Sequence, residues 1–260
     1  MCETQLENMK KHRFLFEELV KRDFKQKYKR TVLGMGWSIL SPLLTLLVLS
    51  LVFSFFFGRT IPHYTIYLFC GNLLFAYFRE ATSAGMGALM QNAHIFTKIN
   101  VPKYIFVLTK NVSSLVNFGL TLGVFFLFVL LEPGLQVTWK YVFLLIPIAC
   151  LIALNIGIGM FLSAIYVFFR DMRYLYDVFT MLLMYVSAIF YPIDIVPAAY
   201  RYFFYGNPVY CYIAYFRDII LDARIPSPEY HLLCLAYAIG ALVLGCWAYR
   251  RYNYQFLYYL

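Results

Sequence analysis

Asp218 and Asp222 are the residues whose type and spacing fit catalysis best. Because they are four residues apart, they share one face of a helix, and Arg217 lies beside them. Two carboxylates can act as a general acid and a general base, for instance in a membrane-embedded glycosyltransferase. The same stretch, FRDIILDAR, also fits the polar side of a helix at a membrane surface. An enzyme is therefore one hypothesis, and a protein without catalytic residues is the favoured one.

Histidine and cysteine are too scattered to predict a metal site. The four histidines show no His-x-x-x-His pairing, and no two of the six cysteines have Cys-x-x-Cys spacing. Zinc sites and disulfide frameworks need such clusters. The cysteines instead fit small buried hydrophobic residues. We predict neither a metal site nor a disulfide framework.

Phosphate-binding loops of the Gly-Lys-Ser/Thr type are missing from the sequence. None of its 14 glycines is followed by lysine, and such a loop needs that pair to hold nucleotide phosphates. The chain is thus not expected to hydrolyse ATP or to hold a cofactor. If an activity of this protein is driven by ATP, a separate subunit must bind ATP and Mg²⁺.

The elements that must position these residues are membrane helices. The chain of 260 residues is 62% hydrophobic and 13% charged, against about 45–50% and about 25% in soluble domains. Apolar runs of about 20 residues are long enough to cross a bilayer. We predict an all-α membrane protein whose residues 37–260 form one transmembrane domain of six spans, near residues 37–57, 64–92, 104–131, 141–168, 175–190 and 231–248.

Residues 1–36 form a separate polar segment with an amphipathic helix at about residues 4–31. Phe16, Val20, Phe24 and Tyr28 recur every four residues, and basic residues occupy much of the other side. This pattern is typical of a helix that lies in the membrane interface. A soluble helix packed on a partner protein is the alternative.

Basic residues predict the orientation of the chain. Nine of the 22 lie between Lys10 and Arg30, and further ones cluster at residues 98–110, 170–173 and 250–251. With six spans these clusters fall on one side, which places the N-terminus and the C-terminus in the cytoplasm. The net charge of +9 then fits anionic lipid headgroups, and nucleic acid is not expected as a partner.

Residues 191–229 are the longest stretch without a span. Five prolines and short semi-apolar pieces predict re-entrant or interfacial half-helices on the outer side, between spans five and six. Eight of the 24 tyrosines lie between Tyr185 and Tyr215. Their rings fit either stacking on sugars or an aromatic belt at the outer interface. The candidates for a glycan contact are Phe190, Tyr191, Tyr212 and Tyr215.

Arg79 and Glu80 are adjacent opposite charges inside the second predicted span. Charges at membrane depth are costly unless they face protein or water. They therefore either line a pathway or form pairs, with each other or with another helix near the cytoplasmic boundary.

The segment YKRTVLGMGWSILSP at residues 28–42 resembles the start of the first span in type-2 ABC exporter (ABC-2) permeases. The closest branch exports lipid-linked polysaccharides: O-antigen, capsule and teichoic acid. Residues 91–102, Phe168–Asp171 and the outer segment with Tyr191-Pro192, Asn207-Pro208 and Phe216-Arg217-Asp218 also resemble this family. One departure is Arg79-Glu80, where the family has small or hydroxyl residues.

The resemblance implies a transport subunit in the cytoplasmic (inner) membrane of a bacterium. It would be a homodimer bound to two ABC ATPase subunits, and its substrate would be a polyprenyl-linked glycan. A permease for a small hydrophobic drug or lipid is the alternative within the same family.

Two segments receive roles from the resemblance. An interfacial gate helix would include Phe16, Val20, Phe24, Tyr28, Lys29 and Arg30. The loop that couples the permease to its ATPase would include His94, Ile95, Phe96, Thr97, Lys98, Ile99 and Asn100.

Overall fold

Every regular element of the described chain is a helix. No strand occurs in the ranges that the structure covers, which confirms the all-α prediction. This computed structural model describes residues 13–29, 31–58, 61–96, 98, 101–135, 137–253 and 255–259.

The α-helices are numbered here in chain order. They are α1 Arg13–Tyr28, α2 Trp37–Phe57, α3 Tyr64–Met86, α4 Ala88–Gln91, α5 Ala93–Phe96, α6 Tyr104–Leu131, α7 Leu145–Phe168, α8 Met172–Val186, α9 Ala198–Tyr205, α10 Pro208–Ile220, α11 Pro228–Tyr252 and α12 Phe256–Tyr259. Short 3₁₀ turns at Gly34–Gly36 and Trp139–Leu144 lead into α2 and α7, and a third turn, Ile193–Ile195, precedes α9.

Four helical stretches within the described ranges are long and apolar enough to cross a membrane, so the chain is a membrane protein. They match the first, third, fourth and sixth predicted spans. They are Gly34–Phe57, Tyr104–Leu131, Trp139–Phe168 and Pro228–Tyr252.

The helices at the second and fifth predicted spans differ from these four. Helix α3 has 23 residues, but Arg79 and Glu80 make it less apolar. It ends at Met86 rather than near residue 92, because Gly85 and Gly87 weaken helical structure there. Helix α8 has 15 residues, which span only about 22 Å. It ends at Val186, and Ala188 with φ +48° turns the chain away from the helix axis.

Glycines bring α3, α7 and α11 into close contact. A Cβ atom on Gly157 of α7 would lie 2.3 Å from the backbone carbon of Ala241 in α11. A Cβ on Gly85 of α3 would lie 2.9 Å from Cα of Gly159 in α7. Small residues allow such close approach of membrane helices, which gains van der Waals contact.

Helix α3 lies inside the bundle, whereas α2 and α8 lie at its edge. Fifteen of the 23 residues of α3 are buried. Along α2, which is described throughout, only Ser38 and Leu46 are buried. The outward faces of α2 and α8 are therefore available to lipid or to another chain.

The bundle has two distinct ends. At the α1 end, Leu19 packs with Leu89, Phe106 and Tyr249 in one apolar cluster. At the α10 end, helix α10 packs against α3 and α11 in the larger core. Because Leu19 belongs to α1 and Tyr249 to the last turn of α11, both extremities of the described chain lie at the α1 end.

Candidate functional site

Helix α1 packs against α6 through its apolar side. Leu19 is buried, and the predicted gate residues Phe16, Val20 and Phe24 are half-buried. Lys29 is exposed. The side chain of Tyr28, residue Arg30 and positions 4–12 of the predicted helix lie outside what the structure describes.

Asp23 of α1 is the centre of a polar network at the α1 end. Its side chain is only 5% exposed, and its two oxygens lie 3.0 Å from Nη2 of Arg22 and 3.0 Å from Nζ of Lys110 in α6. Arg22 Nη2 also donates to Oδ1 of Asn92 at 2.7 Å. Asn92 is fully buried and donates to the carbonyl of Ala88 at 2.8 Å. The network thus joins α1 to α6 and to the segment before the predicted coupling loop.

A second ion pair joins α1 to α3. Lys27 Nζ lies 2.9 Å from Oε1 of Glu80, and the amide of Asn117 in α6 donates to the same oxygen at 2.8 Å. The sequence left open whether Glu80 lines a pathway or forms a pair. In the structure it forms a pair with another helix. Arg79 is exposed and forms no ion pair with an acidic residue of the described ranges.

The predicted coupling loop follows this network directly. His94 in α5 is exposed, Ile95 is half-buried, and Lys98 is exposed. The amide of Ile95 donates to the carbonyl of Asn92 at 2.9 Å, and that of Lys98 donates to Ile95 at 3.1 Å. Thr97, Ile99, Asn100 and the side chain of Phe96 lie outside the described part of the chain.

The outer aromatic candidates lie mostly inside the protein. Tyr212 and Tyr215 are fully buried. The Tyr212 hydroxyl donates to the carbonyl of Cys234 at 2.8 Å, and that of Tyr215 lies 2.8 Å from Nε2 of His231. Phe190 is 5% exposed and Tyr191 half-buried. In this arrangement the two buried tyrosines connect α10 to α11, and their rings contact protein.

Arg217 of α10 is a buried cation held by carbonyl groups. Its Nη1 donates to Ala188 at 2.8 Å, and its Nη2 donates to Ile189 at 2.9 Å and to Tyr67 at 3.2 Å. The guanidinium carbon also lies 3.4 Å from the ring centre of Tyr67. Arg217 therefore joins α10 to α3 and to the turn after α8, a role that was not predicted from the sequence.

The two aspartates that follow Arg217 differ in their exposure. Asp222 is exposed and bonded to Arg224, with 2.7 Å between Oδ2 and Nη2. Asp218 is half-buried. Its pKa is raised mainly by this burial and secondly by the negative charge of Asp222. No group of three or more potential metal ligands occurs among the described residues.

A cavity with both apolar and polar residues in its wall lies between α2, α3 and α6, next to Lys27. Its volume is about 430 Å³. Asn72, Ser114 and Asn117 line it although they belong to membrane helices. This site was not predicted from the sequence. Its signal was available, since amide side chains inside apolar helices are rare and mark functional positions.

One face of α3 remains exposed although most of the helix is buried. Ala76, Arg79 and Ser83 share it at helical spacing. The neighbouring helix α8 exposes Asp177, and its Tyr176 hydroxyl is hydrogen-bonded to Thr82 of α3. By contrast, the exposed residues of α6 and α11 include Leu120, Leu130, Ile239 and Val243 among many other apolar side chains.

These features define an integral membrane protein of packed helices with charged and amide groups inside the bundle. Such groups are typical of transporters, where they face a pathway or one another. Residues 15–221 match the model of the ABC-2 type transporter family. The chain therefore belongs to that family.

Three relatives match the chain over nine-tenths or more of both lengths. The O-antigen export system permease protein RfbA of Klebsiella pneumoniae is 27% identical over 94% of this chain and 95% of its own. A protein of the same name from Myxococcus xanthus is 28% identical over 91% and 90%. The polysialic acid transport protein KpsM of Escherichia coli is 21% identical over 90% and 92%.

Proposed function

We propose that this chain is the membrane permease of an ATP-driven exporter that moves a lipid-linked polysaccharide outward across the bacterial cytoplasmic membrane. The supporting observation is the extent of similarity to relatives named for O-antigen export and polysialic acid transport. Because the match covers nine-tenths or more of both chains, it involves the whole architecture rather than a shared module.

The proposed topology has six spans with both termini in the cytoplasm. Helix α3 adds a span because most of it is buried and Glu80 is paired with Lys27, and α8 adds another although it is short. The common location of α1 and the end of α11 supports an even number of spans. Helices α9 and α10 would then form the outer re-entrant segment, where packing against α3 and α11 satisfies their polar groups.

The proposed assembly is a homodimer bound to two ATPase subunits, which supply the ATP and Mg²⁺ site. The exposed faces of α2, α3 and α8 would meet the second copy around the glycan path. Arg79, Ser83 and Asp177 would give that path a polar lining. The exposed residues His94 and Lys98 would contact the ATPase, and the Asp23 network would carry its motion to α1.

A deletion strain tests the proposed function. In a bacterium whose own copy of this gene is deleted, surface polysaccharide should disappear and lipid-linked glycan should accumulate inside. Both should return with the wild-type gene. Unchanged surface polysaccharide together with a gain in sensitivity to hydrophobic compounds would favour the drug or lipid alternative instead.

The same strain separates a transporter from an enzyme. The double variant Asp218→Asn/Asp222→Asn should still restore surface polysaccharide, because Asp222 is exposed and paired with Arg224. The glycosyltransferase hypothesis would instead be supported if this variant is present in the membrane but the cells no longer assemble the lipid-linked glycan.

Copurification tests the coupling loop. Lys98→Glu should reduce the amount of ATPase that copurifies with the detergent-solubilised permease about tenfold, since reversal of an interface charge opposes association. Arg251→Glu is the matched control, because this residue is exposed on the last turn of α11. Equal losses in both variants would indicate a general charge effect and remove the support for this loop.

A further inference from the structure

The cavity between α2, α3 and α6 has the dimensions of a small-molecule site. Sites for small ligands measure about 300–1,000 Å³, and this cavity measures about 430 Å³. A space of this size suits one or two sugar units, with the rest of a glycan chain outside it. Ala76 in its wall also belongs to the exposed face of α3, so the cavity adjoins that face.

Polar residues at two buried or half-buried positions line the cavity and need a partner. They are Asn72 of α3 and Ser114 of α6, and exposed Ser41 of α2 adds a hydroxyl group. None of these side chains forms a hydrogen bond with another described residue. A polar group without a partner is costly in the hydrocarbon region. Water or the hydroxyl groups of a ligand would supply the missing hydrogen bonds.

Aromatic rings form another part of the wall. Tyr77 and Phe118 stack on each other with ring centres 4.5 Å apart, and both line the cavity. Trp37 lies at its edge and is 41% exposed. A sugar ring has apolar C–H faces and a rim of hydroxyl groups. It therefore matches a site that combines aromatic rings with amide and hydroxyl side chains.

One part of the cavity wall is formed by the basic helix α1. Lys27 lines the cavity together with its partner Glu80. Lys25 and Lys29 of the same helix are exposed. A ligand with its sugar in the cavity would place a negatively charged linker near these cations, where Coulomb attraction favours it.

We propose that this cavity binds the sugar units next to the linker of the lipid-linked substrate, with the negatively charged linker beside α1. The proposal rests on the proposed function and adds a binding subsite to it. Each copy of a homodimer would hold one such subsite, and the sugar would leave it for the path along α3.

Binding of defined probes tests the subsite. The permease with its copurified ATPase is placed in lipid nanodiscs, with Trp139→Phe and Trp247→Phe so that Trp37 is the only tryptophan of the permease, and the same complex with Trp37→Phe as well gives the background of the ATPase. The probe is farnesyl diphosphate linked to N-acetylglucosamine, and farnesyl diphosphate without sugar is the reference. We expect the sugar probe to change Trp37 fluorescence and to bind about tenfold more tightly than the reference.

Two cavity variants and one control complete the test. Ala76→Phe fills the cavity and Asn72→Leu removes its amide, so each should weaken binding of the sugar probe about tenfold. Leu120→Phe enlarges an exposed apolar residue of α6 and should bind as wild type does. Retained ATPase activity shows that a variant is folded and assembled.

The outcomes separate this proposal from the proposed function. Equal binding of the two probes, or unchanged binding of the sugar probe by both cavity variants, would overturn the subsite. If the subsite is overturned but the wild-type gene still restores surface polysaccharide in the deletion strain, the proposed function stands without the subsite. Failure of the wild-type gene in that strain would instead refute the proposed function.

Discussion

The two ends of the bundle hold their charges in different ways. At the α1 end, acids and bases pair with each other, and the side chains of Lys27 and Glu80 are 45% and 38% exposed. At the α10 end, Arg217 is buried and bonded to three backbone carbonyls. An exposed pair such as Lys27–Glu80 exchanges partners at little cost, whereas the Asp23–Lys110 pair at the same end is buried. A buried cation cannot leave its acceptors without leaving polar groups unsatisfied.

This difference suggests which end moves during transport. Ion pairs connect helix α1 to α6 and α3, and the Arg22–Asn92 hydrogen bond connects it to the segment before the coupling loop. These side-chain contacts can break and re-form. The turn after α8 is fixed to α3 and α10 by one guanidinium. We therefore expect ATP-driven motion at the α1 end and a stable frame at the α10 end, and four variants test that comparison.

The largest effect is expected for Arg217→Met. The variant leaves the carbonyls of Tyr67, Ala188 and Ile189 without their donor, at a cost of about 3 kcal/mol or more. Thermal unfolding of the purified protein in detergent measures the loss. Arg224→Met is the control, because Arg224 forms only an exposed pair with Asp222. Similar unfolding temperatures for both variants would contradict a fixed α10 end.

A somewhat smaller effect at the same end is expected for Gly71→Ala. The added Cβ would lie 2.8 Å from Nη2 of Arg217 and 3.3 Å from Cα of Ile189. Such overpacking costs about 1–3 kcal/mol. Gly119→Ala on α6 is the control, since a Cβ there meets no atom within 4 Å. If Gly71→Ala is as stable as the control, Arg217 has room to shift.

At the α1 end, Asp23→Asn removes the charge between Arg22 and Lys110. Because the aspartate is buried, we expect a loss of about 2 kcal/mol in stability. Export should fall while ATP hydrolysis continues, since the link between the coupling loop and α1 is weakened. Unfolding, ATPase and export measurements check this, with exposed Asp171→Asn as control. Parallel loss of ATPase activity and export would show general damage rather than a broken link.

The smallest effect is expected for the Lys27–Glu80 pair. A double-mutant cycle with Lys27→Met and Glu80→Gln should give a coupling energy below about 1 kcal/mol, because both side chains are more than one-third exposed. Thermal unfolding of the four proteins supplies the cycle. A coupling of several kcal/mol would make the α1 end as rigid as the α10 end and remove the contrast.

The sequence predicted the helices well where one physical property dominates. The span at residues 104–131 matches α6, since long apolar runs require helical hydrogen bonding in a bilayer. The limits of α3 and α8 were less accurate. A helix end depends on local features, such as Gly87 or the turn at Ala188, that hydrophobicity does not report.

The candidate site was predicted in part. Glu80 and the basic helix were identified separately, yet their contact through Lys27 joins residues 53 positions apart. Tyr212 and Tyr215 were chosen because aromatic rings suit sugars, but their burial depends on how α10 packs against α11. Asn72 and Ser114 were not chosen, although polar side chains inside apolar helices are a signal, because hydrophobicity does not show which side of a helix faces a cavity.

By itself, the sequence determined that this protein is a helical membrane protein with a basic amphipathic helix before its first span. Hydrophobicity, length and charge decide those properties residue by residue. Only the tertiary structure decided that Asp23 links α1 to Lys110, that Arg217 holds three carbonyls, and that Asn72 faces a cavity. Such contacts depend on the rotation and crossing of helices, which are set by packing between distant residues.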